Sequence, residues 1–325
     1  MIKNVIRNKG GLHNRLTQRL RLMPFTLRET ELYFSSRNII LDRYQVLQLY
    51  LVMGGIPQYL REVRKGESST QAIDRICFSK EGFLFGEFDN LFSSLFEAGG
   101  NHLDVIRALT GKPTGLIRNE IISESRLSSG GRASATITEL EESGFISSVI
   151  PHKKNSSSAV FRLSDEFSLF YLKYVEHSRF LGPGSWFKIS RESSWKSWSG
   201  YAFESICLKH TDQIRKALDI AGVLALISTW RYRPADKSGT GAQIDLLIDR
   251  QDNCINICEI KFSTGEFIID KKYALELNNK LATFRSISRT RKTLFLTMIT
   301  AVGVKNNEYR TIIQNELTMN DLFDY

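Results

Sequence analysis

The sequence predicts a multi-domain α/β protein, and three observations carry that prediction. At 325 residues the chain is long enough for two or three domains. Most of the first 220 residues show helical spacing of apolar positions, punctuated by Gly, Pro and Ser breaks. Farther on, 241–250 and 253–262 read as two apolar strands joined by the polar turn Gln251-Asp252. A helical stretch precedes this pair and another follows it, which is the pattern of a layered α/β domain.

A chain that is 42% hydrophobic and 24% charged is expected to be globular. No apolar run reaches the length of a membrane span and no secretory signal opens the chain, so no membrane partner is expected. Cys254 and Cys258 share one face of a strand, while Cys77 and Cys207 lie far off in sequence. No further Cys or His follows at ligand spacing, so all four cysteines read as reduced core thiols of a cytoplasmic protein. The five histidines (13, 102, 152, 177, 210) never pair at i, i+4, which argues against a histidine metal site or triad. The net charge of +9 is uneven: residues 1–65 hold 12 Lys+Arg against 4 Asp+Glu, and the other 260 residues hold 32 against 31. Basicity as such therefore gives little support for nucleic-acid binding by the C-terminal domain.

Residues 1–65 read as broken helices. Gly10-Gly11 is a turn. Thr26 is placed to cap a helix opening at Leu27, with Glu29 in its first turn, and Asp42 to cap a second helix starting at Arg43. Gly54-Gly55-Ile56-Pro57 stops that helix, and 58–63 resumes it. Residues 66–100 read as a helical connector whose Phe83, Phe85, Phe88, Phe92 and Phe96 form a core stripe on a helix over 83–96. Residues 101–177 read as a winged helix and its trailing helix: helices over 102–109, 114–123 and 132–143, strands over 145–150 and 159–163, and a polar wing with a basic tip. Arg132, Lys153 and Lys154 are its candidate phosphate contacts. Glu139, Glu141 and Glu142 make the would-be recognition helix acidic, which also suits a structural or protein-binding winged helix. Asp165 is placed to cap a helix over 166–176, and 180–185 marks the clearest boundary. From residue 194 to 325 the expected order is one helix over 195–218, a strand over 223–232, the two apolar strands, a helix over 267–285, and a strand over 292–300.

The chemistry lies in the apolar strand pair. Asp245 sits on the first strand and Glu259 and Lys261 share one face of the second. Two carboxylates and a lysine on neighbouring strands suit a metal-dependent phosphodiesterase, because Mg²⁺ prefers oxygen ligands and can activate water against a phosphate. Arg231, Arg233, Lys237, Lys271 and Lys272 could flank that edge and hold phosphates, or be ordinary solvated charges. The alternative for the whole strand pair is a solvated hairpin carrying an ordinary Glu–Lys pair.

The pattern of Asp245 followed by Glu259-Ile260-Lys261 resembles the restriction-endonuclease-like, PD-(D/E)xK nuclease superfamily over roughly 195–325. That resemblance implies Asp245 and Glu259 as ligands of Mg²⁺, Lys261 serving the attacking water, and Glu204 on the preceding helix as an assisting carboxylate. Members of the superfamily often keep the fold and lose the chemistry.

A second resemblance covers essentially the whole chain. Leu22-Met23-Pro24-Phe25-Thr26-Leu27-Arg28-Glu29-Thr30-Glu31, followed by Tyr50-Leu51-Val52-Met53-Gly54-Gly55-Ile56-Pro57-Gln58-Tyr59-Leu60, is similar to archaeal and bacterial ATPases of the AAA+ signal-transduction class. In them this piece ends the ATPase core and begins a helical lid, and a winged helix and a nuclease-like domain follow. The resemblance implies a lid remnant over 1–65. It also implies ATP binding by the full-length family, which is not expected here because no GxxxxGK[ST] loop is present. In Leu109-Thr110-Gly111-Lys112-Pro113 a proline takes the hydroxyl position. The expected function is thus a truncated ATPase-family protein with a Mg²⁺-dependent nuclease-like domain acting on nucleic acid, partnered by an upstream ATPase polypeptide. The rival expectation is a non-catalytic regulatory or protein-interaction module.

Overall fold

A computed structural model describes residues 18, 20, 22–96, 99–128, 130–178, 181–234 and 241–324. The Gly10-Gly11 turn, His13 and the loop bearing Lys237 lie outside the described residues. The protein is mixed α/β, with a three-stranded sheet in the middle of the chain and a five-stranded mixed sheet at its end.

The N-terminal helices form where their caps predict. α1 (Leu27–Ser36) opens on Thr26, whose hydroxyl accepts the Glu29 amide while the Glu29 carboxylate accepts the Thr26 amide. α2 (Arg43–Met53) opens on Asp42. Its run Leu49-Tyr50-Leu51-Val52-Met53 is buried on every side, as expected of a helix without a polar face. It packs against α1 and against later elements that include α4 (Ser69–Ile73), α9 (Glu166–Phe170) and α12 (Ser193–Lys209). One apolar cluster consequently runs from Leu27 to Phe323 and includes the helices and three-stranded sheet of the middle of the chain and one face of the large sheet. The N-terminal segment is thus a structural centre of the molecule.

The other helices in this half are α3 (Pro57–Leu60), α5 (Glu87–Leu95), α6 (Gly100–Thr110), α7 (Arg118–Glu124) and α8 (Gly131–Glu142). The helix expected over 83–96 begins only at Glu87. Residues 83–86 form a turn, because Gly82 packs onto the Ile76 carbonyl and the Leu84 amide donates to that same oxygen. β2 (Ile146–Val149) and β3 (Val160–Leu163) pair antiparallel as expected, and β3 also pairs with β1 (Leu116–Ile117). With two residues, β1 is too short to show a sequence period. After α9, Tyr171–Val175 is π-helical and α10 (Glu176–Ser178) ends the run. α11 (Ser185–Ile189) occupies what reads in the sequence as linker, and buries Trp186.

The C-terminal sheet follows the order β4 (Ala225–Tyr232), β5 (Ala242–Arg250), β6 (Cys254–Lys261), β7 (Thr293–Thr300), β8 (Asn315–Thr318). β5 is antiparallel to both β4 and β6, whereas β7 runs parallel to β6 and to β8, with α14 (Lys271–Ser288) crossing between β6 and β7. Leu246, Ile248, Cys258 and Ile260 join the main cluster with α12, and Leu247, Ile257 and Trp230 pack with Phe284 of α14. The sheet is therefore covered on both faces. Cys77, Cys207 and Cys258 are buried and all four cysteines are free thiols.

The helix expected over 195–218 is two, α12 and α13 (Thr211–Ala217), broken at His210. Histidine 210 has a structural task. Its Nε2 accepts the Leu27 amide at 3.1 Å, so the proton sits on Nδ1 and is donated to the Ile206 carbonyl at 2.8 Å. This neutral ring ties the first helix to the last domain. Burial holds its pKa down to about 4. An unfolded His takes its proton near pH 6.5, so between about 6.5 and 4 the unfolded state binds more protons. The stabilisation is full above that window and is lost as pH falls through it, amounting to about 3 kcal/mol. Thermal melts of wild type and His210→Gln at pH 7.5, 6, 5 and 4 check this: the variant should show a clearly shallower decline.

Candidate active site

Asp245 owes its position to a β-bulge. Ser228 lies opposite Leu247, but Trp230, two residues on, lies opposite Ile244, three residues back. One extra residue of β5 is thus accommodated there, and both Asp245 and Leu246 face Thr229. Such bulges bend a strand and re-aim a side chain, and they are frequent beside active sites. Here Asp245 Oδ2 accepts the Ile260 amide of β6 at 3.2 Å, and Oδ1 accepts Gln243 Nε2 at 3.4 Å. Asp245 and Glu259 each come one residue beyond the last recorded cross-strand pair, Leu246 with Cys258.

Both carboxylates are buried, Asp245 at 8% exposure and Glu259 at 4%. Glu259 Oε1 accepts Lys261 Nζ at 2.8 Å and the Tyr273 hydroxyl at 2.7 Å, and Oε2 pairs with Lys280. Burial pushes the Glu259 pKa up, but the ammoniums of Lys280 and Lys261 outweigh it and hold the carboxylate ionised. Asp245 has no such cation in contact among the described residues. Burial, then the negative charges of Glu259 and Glu204, push its carboxyl up to about 7. Burial pulls the Lys261 pKa down, but Glu259 and Asp245 together raise it, so the ammonium stays charged. Desolvation next to Glu259 raises Tyr273 well out of the titrating range, which leaves its hydroxyl a proton donor. The pattern of one carboxylate kept ionised and a neighbour pushed toward protonation is frequent where charge is used in chemistry.

The structure brings Asp245, Glu259 and Lys261 together. Glu204, on α12, makes its ion pair with Arg162 of β3 at 2.5 Å, and its charge is felt at both Asp245 and Lys261. It stands at the border of the site and is engaged with the three-stranded sheet. Arg231, on β4, donates to Gln243 Oε1 at 2.8 Å and so reaches Asp245 through one side chain. Burial and the nearby Arg233 and Arg162 guanidiniums lower the Arg231 pKa, which marks a concentration of positive charge at this edge. Lys271 and Lys272 are exposed, and Lys272 meets Glu276 at 4.0 Å one turn on.

Two further side chains of the site, Tyr273 and Lys280, lie on α14. A signal for both existed: they stand seven residues apart, two turns, on one face of the helix that follows the Glu-x-Lys strand. Gln243, two residues before Asp245, shares its strand but offers no comparable signal.

The three candidate phosphate contacts of the winged-helix region do not converge. Lys153 donates to the Ser288 carbonyl at the end of α14 at 2.8 Å, and the His152 amide donates to the Thr229 carbonyl of β4 at 2.9 Å, so the loop between β2 and β3 rests on the C-terminal domain. Lys153, which is exposed, thus makes a contact between the two halves of the chain. Lys154 is exposed, and Arg132 is exposed in the first turn of α8. The acids of α8 are used internally: Glu139 meets His102 at 3.0 Å and Glu141 accepts the Ser148 hydroxyl at 2.5 Å.

For a metal, the chemistry of the donors is the test. Two buried carboxylates supply hard oxygens, and a divalent cation between them would offset the repulsion that now raises Asp245. Among the described residues no group of three or more His, Cys, Asp or Glu could hold a metal ion. The protein would thus offer one or two carboxylates, which suits Mg²⁺ completed by water and substrate phosphate. Among the described residues no helix is long and apolar enough to cross a membrane. No family model, no curated protein and no solved structure matches this chain.

Proposed function

We propose that the chain is a Mg²⁺-dependent phosphodiesterase of the PD-(D/E)xK type acting on nucleic acid, attached to a winged helix and to the helical end of an AAA+ ATPase. One observation carries the reading: Asp245, aimed by a β-bulge, Glu259 and Lys261 meet at the buried ends of two adjacent strands. Asp245 and Glu259 would hold the cation, which would supply Lewis-acid activation of a water and of the scissile phosphate. Lys261 keeps a charged ammonium beside them, about one third exposed, where it can hold a phosphate oxygen or orient that water. Arg231 and Arg233 at the same edge favour an approaching polyanion. Tyr273 and Lys280 fix Glu259 from the helix side.

Cleavage of mixed DNA and RNA with Mg²⁺ or Mn²⁺ tests the reading, with wild type beside Asp245→Ala and Lys261→Ala. Metal-dependent cleavage lost in both variants is the expected result. A wild type that neither cleaves nor binds either cation at millimolar concentration sinks it. That outcome would favour the second reading, a regulatory or interaction module, for which there is a specific observation: both oxygens of Glu259 are already occupied by Lys261, Tyr273 and Lys280.

A further inference from the structure

Where the winged-helix region meets α12 there is a cavity of about 230 Å³. Its cationic lining is Lys112, Arg162 and Lys173, against the single carboxylate of Glu204, which Arg162 already pairs. Lys173 is exposed and has no carboxylate within ion-pair distance among the described residues. It sits on the π-helical turn Tyr171–Val175, a feature that recurs at functional sites. Lys112 reaches only Glu124, at 3.8 Å, with both side chains half exposed, so this pair is weak.

The remaining wall is apolar and aromatic. Trp198 is 8% exposed and held rigid by stacking on Trp195, with ring centroids 5.1 Å apart. Tyr201, one turn along α12, is half exposed at the rim. Leu109 closes the side below Lys112. A pocket that combines a surplus of positive charge with a fixed indole and a half-exposed phenol suits a ligand with a flat π-face and an anionic end. Its volume lies below the roughly 300 Å³ at which drug-sized ligand pockets begin, so it suits one such unit rather than a helix or a long peptide.

We propose that this cavity binds a nucleoside monophosphate unit, with the base against Trp198 and Tyr201 and the phosphate held by Lys112 and Lys173. The unit could be a free nucleotide or the phosphorylated end of a strand. Arg162 and Glu204 form the floor, and Glu204 also borders the carboxylate pair of the large sheet, so an occupied cavity would lie next to the proposed phosphodiesterase centre. Binding itself does not depend on that activity.

Titration calorimetry and tryptophan fluorescence on the full chain test the proposal, using the four nucleoside monophosphates, inorganic phosphate, adenosine, decanoate and a 5′-phosphorylated tetranucleotide. Saturable binding of a monophosphate is expected, about tenfold or more tighter than either phosphate or adenosine alone. Lys112→Ala/Lys173→Ala should weaken it about tenfold to a hundredfold, by loss of charge-assisted contacts. Tyr201→Ala should weaken it about tenfold, by loss of stacking. These positions are exposed, so both variants should melt as wild type does. Lys261→Ala should bind as wild type, which separates failure of this site from failure of the phosphodiesterase reading. A tetranucleotide bound at least as tightly as the monophosphate assigns the site to strand ends, and weaker binding assigns it to free nucleotide; both support the pocket. No saturable binding of any nucleotide probe, unchanged affinity in the double-lysine variant, or preference for decanoate overturns it.

Discussion

Asp245→Asn is expected to stabilise the fold and abolish cleavage together. The buried carboxylate accepts the Ile260 amide but has no cation in contact, and burial with two neighbouring acids lifts its pKa from 3.8 to about 7. The folded state therefore holds a proton that the unfolded state has released between about pH 4 and 7. Stability from this group is fully present below the unfolded value and is lost as pH rises through the folded one. By pH 8 the cost is about 2–4 kcal/mol. Asparagine keeps the shape and an oxygen for the Ile260 amide, and it removes the charge. The melting temperature at pH 8 should rise by about 2–5 °C, and the difference from wild type should shrink toward pH 5. Mg²⁺ should raise the wild-type melting temperature and leave the variant unmoved. Loss of one of two metal carboxylates should lower cleavage about a thousandfold or more, equivalent to about 4 kcal/mol of transition-state stabilisation. A variant that melts lower than wild type at pH 8 would show that Asp245 is a satisfied structural acid. A stabilised variant with full cleavage would remove it from the reaction.

Local rules read the caps and strands well because those features are local. Thr26, Asp42, Asp165 and their helices, and the strand assignments of Asp245, Glu259 and Lys261, follow from side-chain chemistry within a few residues. What stayed hidden depends on distant partners. The bulge that aims Asp245 exists only in the register of β5 against β4. The break at His210 arises because its ring serves Leu27, 183 residues away. Nothing near Lys153 in sequence announces its contact with the Ser288 carbonyl. The polar roles of Tyr273 and Lys280 emerge only when the helix is set against β6. The same limit applies to the N-terminal segment. Nothing local in the stretch expected as a lid remnant announces that α2 packs against helices from both halves of the chain.

That central packing makes Gly55→Ala the most damaging single-methyl change in prospect. Gly54 ends α2 in the left-handed region, with φ +61°. Gly55 then runs against the backbone of the segment before α1. Its carbonyl accepts the Phe25 amide at 2.7 Å, and the Tyr50 hydroxyl donates to the Phe25 carbonyl at 2.8 Å. A Cβ on Gly55 would stand 1.9 Å from the Phe25 carbonyl oxygen and 2.6 Å from its nitrogen. Backbone cannot swing away as a side chain can, so Phe25 must move and the amide bond to Gly55 must break. The displacement would carry the Thr26 cap and, through Leu27, the bond to His210. Overpacking and a lost buried hydrogen bond together predict a loss of about 3 kcal/mol or more. Gly200→Ala is the matched control. It lies inside α12 with nothing within 4 Å of its would-be Cβ, and alanine there should add about 0.5–1 kcal/mol. Thermal melts of the two variants should move in opposite directions. If Gly55→Ala melts with wild type, the Gly54-Gly55 turn is looser than its contacts imply, and its two glycines then need an explanation other than helix packing.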